Sequence, residues 1–123
     1  MKILLIEDEE ILVKVLQEKL EQEKFSVQIA TDGESAVPMA KSFKPDLILL
    51  DIVLPKKDGM LVLEELKTDP ALSPIPVIII SNLGEDENIK RALKLGAVDY
   101  LVKTQHPINE VVERVKENIL KAR

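Results

Sequence analysis

The sequence predicts a doubly wound α/β domain of five strands and five helices, and three observations carry that prediction. Short runs rich in Ile, Leu and Val recur along the chain, amphipathic stretches of helical period separate them, and turn residues punctuate the joins. Three of the runs are apolar at nearly every position, as parallel strands covered by helices on both faces require.

Taken in order, the first strand is expected over Ile3–Ile6, followed by the acidic run Glu7-Asp8-Glu9-Glu10. Acids there complement the dipole of a helix whose Leu12, Leu16 and Leu20 share a face. A second strand, Val27–Ala30, leads into a helical stretch containing Pro38. Proline inside a helix removes a hydrogen bond, so this helix is expected to kink or to start late. The third strand, Leu47–Leu50, ends at Asp51, before the Leu54-Pro55 turn. Asp69-Pro70 and Ser73-Pro74 mark the loop before the fourth strand, Val77–Ile80. Ile89, Ala92 and Leu93 share a face of the fourth helix, which Gly96 caps at its C-terminus. The fifth strand is Tyr100–Val102. Pro107 suits the first turn of a last helix with Ile108, Val111, Val112, Val115 and Ile119 on one side.

Composition bounds the function. A chain of 123 residues is the size of one domain, expected to span 1–123 with no separate output domain. It is 46% apolar and 32% charged, the balance of a soluble globular protein. No apolar run approaches the length of a membrane span, and Met1-Lys2-Ile3 leads directly into a strand, so a cytoplasmic location is expected. With no cysteine and one histidine, a disulfide framework, a thiol nucleophile and a Cys/His zinc site are excluded, leaving metals ligated by oxygen. A net charge of −5 argues against direct nucleic-acid binding and against binding to acidic membranes.

In a right-handed doubly wound sheet all strand C-terminal ends point one way, and ligands bind there. Those ends carry Glu7 and Asp8, Asp51, Ser81 and Lys103. Carboxylates converging at one spot repel unless a cation sits among them, and hard oxygen ligation suits magnesium. Magnesium bound there screens Asp51 and neutralises charge on an incoming phosphoryl group, leaving the carboxylate free to attack phosphorus. Lys103 then pairs with one phosphoryl oxygen and the Ser81 hydroxyl donates to another. His106 is given no chemistry, and Lys90, Arg91 and Lys94 are read as a solvated helix face paired with neighbouring acids.

These pieces resemble the receiver domain of two-component response regulators, in particular the chemotaxis type, over the whole chain. The resemblance rests on Glu7-Asp8, on Leu47-Ile48-Leu49-Leu50-Asp51-Ile52-Val53-Leu54-Pro55 with Asp58-Gly59-Met60, on Ser81, and on Leu95-Gly96-Ala97-Val98-Asp99-Tyr100-Leu101-Val102-Lys103. It implies a flavodoxin-like fold with strand order 2-1-3-4-5. It implies phosphorylation of Asp51 by the phosphohistidine of a sensor histidine kinase or phosphotransfer protein. Magnesium is then held by Asp8, Asp51 and the backbone carbonyl of Val53, with Glu7 acting mainly through water. Ser81 closes on the phosphoryl group and Tyr100 turns inward, remodelling the surface of helix four, strand five and helix five for a downstream output domain or protein. The result is a signalling switch and not a turnover enzyme, and the family also allows a phosphorylation-dependent homodimer through that face.

The chain departs from the family pattern after Lys103, where Thr104 replaces a proline preceded by a cis bond. A cis bond before a non-proline residue costs about 3 kcal/mol, so the loop either holds a strained cis peptide or takes another path. Val53 and Leu83 are apolar where many relatives carry polar groups, which predicts slow self-dephosphorylation. A haloacid-dehalogenase-like enzyme would need a second aspartate at the Val53 position, and a flavin-binding protein would need a phosphate-cradling loop after the first strand. The remaining alternative is a receiver-like module that docks without being phosphorylated.

Overall fold

The computed structural model describes residues 1–121; Ala122 and Arg123, expected to close the last helix, lie outside the described residues. The elements alternate strictly: β1 (Lys2–Ile6), α1 (Glu10–Gln22), β2 (Ser26–Ala30), α2 (Gly33–Phe43), β3 (Leu47–Asp51), α3 (Gly59–Thr68), β4 (Val77–Ser81), α4 (Asp86–Leu95), β5 (Asp99–Val102) and α5 (Ile108–Lys121). All strand pairs are parallel, in the order β2-β1-β3-β4-β5, as the resemblance implied.

The apolar strand runs have the expected cause. Every residue of β3 and β4 is buried, because helices cover both faces. Alternation along the strands divides the core in two. Leu4, Ile6, Ile48, Leu50 and Ile79 face α2, α3 and α4, packing with Ala36, Ala40, Leu63, Leu66 and Ala92. Ile3, Leu5, Leu47, Leu49, Ile78, Ile80 and Leu101 face α1 and α5, packing with Leu16, Leu20, Val111, Val112, Val115 and Ile119.

Two local expectations are corrected. Pro38 neither delays nor breaks α2, which runs from Gly33 to Phe43. The Asp32 side chain accepts from the Ser35 N–H at 2.8 Å and starts the helix on time. The carbonyl left without a helical donor by Pro38 belongs to Glu34, one turn earlier, and both residues are exposed, so water can satisfy it. On α4 the apolar face is narrower than expected: Ala92 is buried and Ile89 packs against the core, whereas Leu93 is 46% exposed. Gly96 caps α4 at φ 116°, the left-handed conformation that favours glycine.

Leu49 lies fully buried in the central strand. Leu49→Ala is expected to lower unfolding free energy by about 2–5 kcal/mol, read from urea denaturation at unchanged slope.

Candidate functional site

Among the described residues the buried polar side chains are Glu7, Asp51 and Ser81, and all three stand at the C-terminal ends of strands. Polar groups are rarely left in a core without a purpose or a partner. The backbone explains how they meet. Glu7 lies one residue beyond β1, yet its N–H still donates to the Ala30 carbonyl at 3.0 Å, and Lys103, one beyond β5, donates to the Ser81 carbonyl at 2.8 Å. The ladder therefore continues past both strand ends, and strand alternation sends Glu7, Asp51 and Lys103 to the α1/α5 side of the sheet. Opposite them, the chain turns sharply after β3. A Cβ on Gly59 would stand 2.3 Å from the Asp51 carbonyl oxygen, so only glycine lets α3 begin this close to the site. The Gly59 N–H donates to the Ile52 carbonyl at 2.8 Å, and Asp58 caps α3 by accepting from Met60.

Lys103 is the hub. Its Nζ lies 2.8 Å from Glu7 Oε1, 3.1 Å from Asp51 Oδ2 and 3.3 Å from Glu9 Oε2. Glu7 Oε2 accepts from the backbone N–H groups of Asp8 and Glu9, each at 3.0 Å, and Asp51 Oδ1 accepts from the Val53 N–H at 3.2 Å. Burial pushes the Glu7 carboxyl up to about 7, against the opposing pull of Lys103. Burial alone would depress the Lys103 ammonium, but Glu7 and Asp51 outweigh it and hold the lysine above its ordinary value.

Asp8 adds an exposed carboxylate. One oxygen from each of Glu7, Asp8 and Asp51 falls within 4.8 Å of the others. Three hard oxygen donors, with a single lysine to balance them, fit a divalent cation such as magnesium.

Ser81 and Tyr100 lie across the sheet from this cluster. The Ser81 Oγ is buried and accepts from the Leu83 N–H at 3.1 Å, while the inward-turned Tyr100 donates its hydroxyl to the Leu83 carbonyl. Both side chains thus hold one residue of the β4–α4 loop. Burial raises the Tyr100 phenol, partly opposed by a hydrogen bond with Ser81. The Lys103–Pro107 loop takes the path without a cis bond: no cis peptide occurs among the described residues, and the N–H groups of Gln105 and His106 both donate to the Val102 carbonyl. His106 pairs with Glu110 on the first turn of α5, at 2.8 Å. Lys90, Arg91 and Lys94 are exposed but, contrary to expectation, form no ion pair among the described residues. Glu9 was read from sequence only as a dipole-complementing acid. Its contact with Lys103 bridges 94 positions in the chain, a separation at which local pattern carries no signal.

The chain matches the family model of the response regulator receiver domain over residues 3–116. It belongs to that family. The receiver domain is 41% identical over 115 residues to the alkaline phosphatase synthesis transcriptional regulatory protein PhoP of Bacillus subtilis, covering 94% of this chain and 47% of PhoP. It thus spans about half the length of that curated relative. It superposes on the receiver domain of the Francisella response regulator 1452 with a TM-score of 0.91 at 30% identity, covering 99% of this chain and 98% of the other. On the phosphorylated cyanobacterial phytochrome response regulator RcpA the TM-score is 0.86 at 32% identity, with 99% and 95% covered. Receiver domains are signalling switches that work with histidine kinases and output domains. No described helix of this one is long and apolar enough to cross a membrane.

A ligand that binds only the folded site stabilises it by mass action. Magnesium at ten times its dissociation constant is expected to stabilise the receiver by about 1.4 kcal/mol, seen as a rise in Tm. Asp8→Asn should lose most of that rise while unfolding no lower than wild type without metal, because it removes one uncompensated charge.

Proposed function

We propose that this receiver domain accepts a phosphoryl group on Asp51 from the phosphohistidine of a sensor histidine kinase or phosphotransfer protein, in a magnesium-dependent reaction. The observation that carries this reading is the buried Asp51 carboxylate, fixed by Lys103 on one oxygen and the Val53 N–H on the other, beside the carboxylates of Glu7 and Asp8. A free buried acid would have no such set of partners, and a merely structural one would not need two further acids beside it.

Asp51 acts as the nucleophile. One carboxylate oxygen attacks phosphorus, the bond from phosphorus to the donor's imidazole nitrogen breaks, and its electron pair stays on that nitrogen. Asp8, Asp51 and the Val53 carbonyl would hold magnesium, with Glu7 assisting through water. When bound, the ion neutralises charge on the transferring group and screens Asp51 from its neighbours. Lys103 pairs with one phosphoryl oxygen. Ser81 gives up its contact with Leu83 and donates its hydroxyl to a second oxygen, which frees the β4–α4 loop held by Tyr100. The readout is then the surface of α4, β5 and α5, presented to an output domain or protein or to a second copy of the chain. The likeness to phosphorylated RcpA supports this chemistry. The trans path after Lys103 still brings its ammonium to 3.1 Å from Asp51, which supports the phosphorylated switch over a docking-only module. The reading entails one receiver over 1–123, working in the cytoplasm without contacting nucleic acid itself.

Incubation with acetyl phosphate, followed by intact mass, is expected to show one phosphoryl group gained with magnesium and none without it. Asp51→Asn should gain none. If wild type stays unmodified with acetyl phosphate and with a histidine kinase donor alike, the reading fails.

Val53 is 59% exposed and Leu83 half-buried beside the acceptor, and neither can orient an attacking water. The phosphoryl group should therefore be long-lived. Polar replacements, Val53→Asn with Leu83→Gln, are expected to shorten its lifetime several-fold, followed by loss of the added mass over time.

A further inference from the structure

We infer that Glu9 is the exchangeable partner of Lys103: its carboxylate occupies one ammonium proton at rest and yields it to an oxygen of the incoming phosphoryl group. The inference rests on the proposed phosphorylation of Asp51 and adds a positioning residue that acts through Lys103.

The Lys103 ammonium stands among three carboxylates: it donates to Asp51 at 3.1 Å and to Glu9 at 3.3 Å, and lies 2.8 Å from Glu7 Oε1, which accepts no hydrogen bond. A phosphoryl oxygen that approaches the ammonium competes with these carboxylates for it. They are unequally held. The Glu7 carboxylate is fully buried and its other oxygen is tied to two backbone amides, so moving it would strand a buried charge. Asp51 is almost buried and is itself the acceptor. Glu9 makes the longest contact and its side chain is 59% exposed, so water compensates its departure and the pair is worth little.

Local structure leaves Glu9 available for this task. It is the N-cap residue of α1, and its carbonyl accepts from the Val13 N–H at 2.9 Å, yet its side chain makes no capping hydrogen bond. Its own N–H donates to Glu7 Oε2, which anchors the backbone to the buried acid while the side chain extends to Lys103. Glu9 therefore keeps the ammonium aligned at the mouth of the site before a donor arrives. It also sets a negative charge beside the path of an anionic donor, so both effects have the same sign: loss of Glu9 eases entry of a phosphoryl group.

The test compares the full chain as wild type, Glu9→Ala, Glu9→Gln and Glu10→Gln. Glu10 is exposed and takes no part in the Lys103 cluster, so its variant removes an equal charge without the contact. The first readout is affinity for beryllofluoride, a tetrahedral substitute for a phosphoryl group, by calorimetry in the presence of magnesium. The second is the dependence of phosphorylation rate on acetyl phosphate concentration. Glu9→Ala is expected to bind beryllofluoride about two- to fivefold more tightly. It should half-saturate at correspondingly lower acetyl phosphate with an unchanged maximal rate, and Glu9→Gln should shift in the same direction. Unchanged affinity in Glu9→Ala, or an equal gain in Glu10→Gln, overturns the inference while leaving Asp51 as acceptor. A wild type that binds no beryllofluoride removes the proposed function and this inference with it.

Discussion

Everything at this site depends on holding like charges together at the edge of a hydrophobic sheet. Glu7 and Asp51 are buried, Asp8 and Glu9 stand beside them, and one ammonium, that of Lys103, lies among them. Without the lysine the two buried carboxylates would face each other in a medium that screens poorly, and one would be driven to take up a proton. Burial keeps the Glu7 carboxyl elevated even with Lys103 present. With four acids around one ammonium, the site keeps an affinity for further positive charge.

The rest of the fold explains how that arrangement is tolerated. Strands β3 and β4 are buried throughout, with helices against both faces, so the frame carrying Asp51 and Ser81 has little freedom to relax away from repulsion. Gly33 and Gly59 permit close approach around the same edge: a Cβ on Gly33 would meet the Lys57 carbonyl at 2.1 Å, and one on Gly59 would meet that of Asp51. The β3–α3 loop is thereby drawn down over the site. Stability sits in the two apolar layers, and the charged edge draws on it, the usual relation between a core and a functional site.

Across the sheet the chemistry is neutral. Ser81, Tyr100 and the backbone of Leu83 form a hydroxyl-centred cluster that ties the sheet end to α4. Helix α4 has Ala92 as its one fully buried residue, with Ile89 and Leu95 packed partly against the core. Under the proposed function, a change in the partner of the Ser81 hydroxyl is felt directly by the most lightly packed helix. Such coupling needs no long pathway, only one loop residue held from both sides.

Much of this was legible in the sequence. Apolar runs located all five strands to within a residue; in β3 and β4 burial on both faces leaves no alternative composition, whereas the edge strand β2 shows through alternation of Val27 and Ile29 with exposed Ser26 and Gln28. Asp51, Ser81, Lys103 and the Glu7-Asp8 pair stood out as polar residues at the ends of those runs, and the chain's direction through the sheet is enough to bring them to one edge. What the sequence could not decide depends on neighbours distant along the chain. Pro38 is tolerated because the carbonyl it strands faces water, and Leu93 stays exposed because α4 meets the core along a single narrow line. The loop after Lys103 takes a trans path because Val102 offers its carbonyl to two successive amides. Glu9 turns from a helix-start acid into a partner of Lys103 only when the ends of β1 and β5, with β3 and β4 between them, open onto one edge of the sheet and bring together residues 94 positions apart in the chain. Local periodicity records which residues must be buried; which charges meet is set by distance in the folded molecule, because electrostatic attraction acts through space and not along the chain.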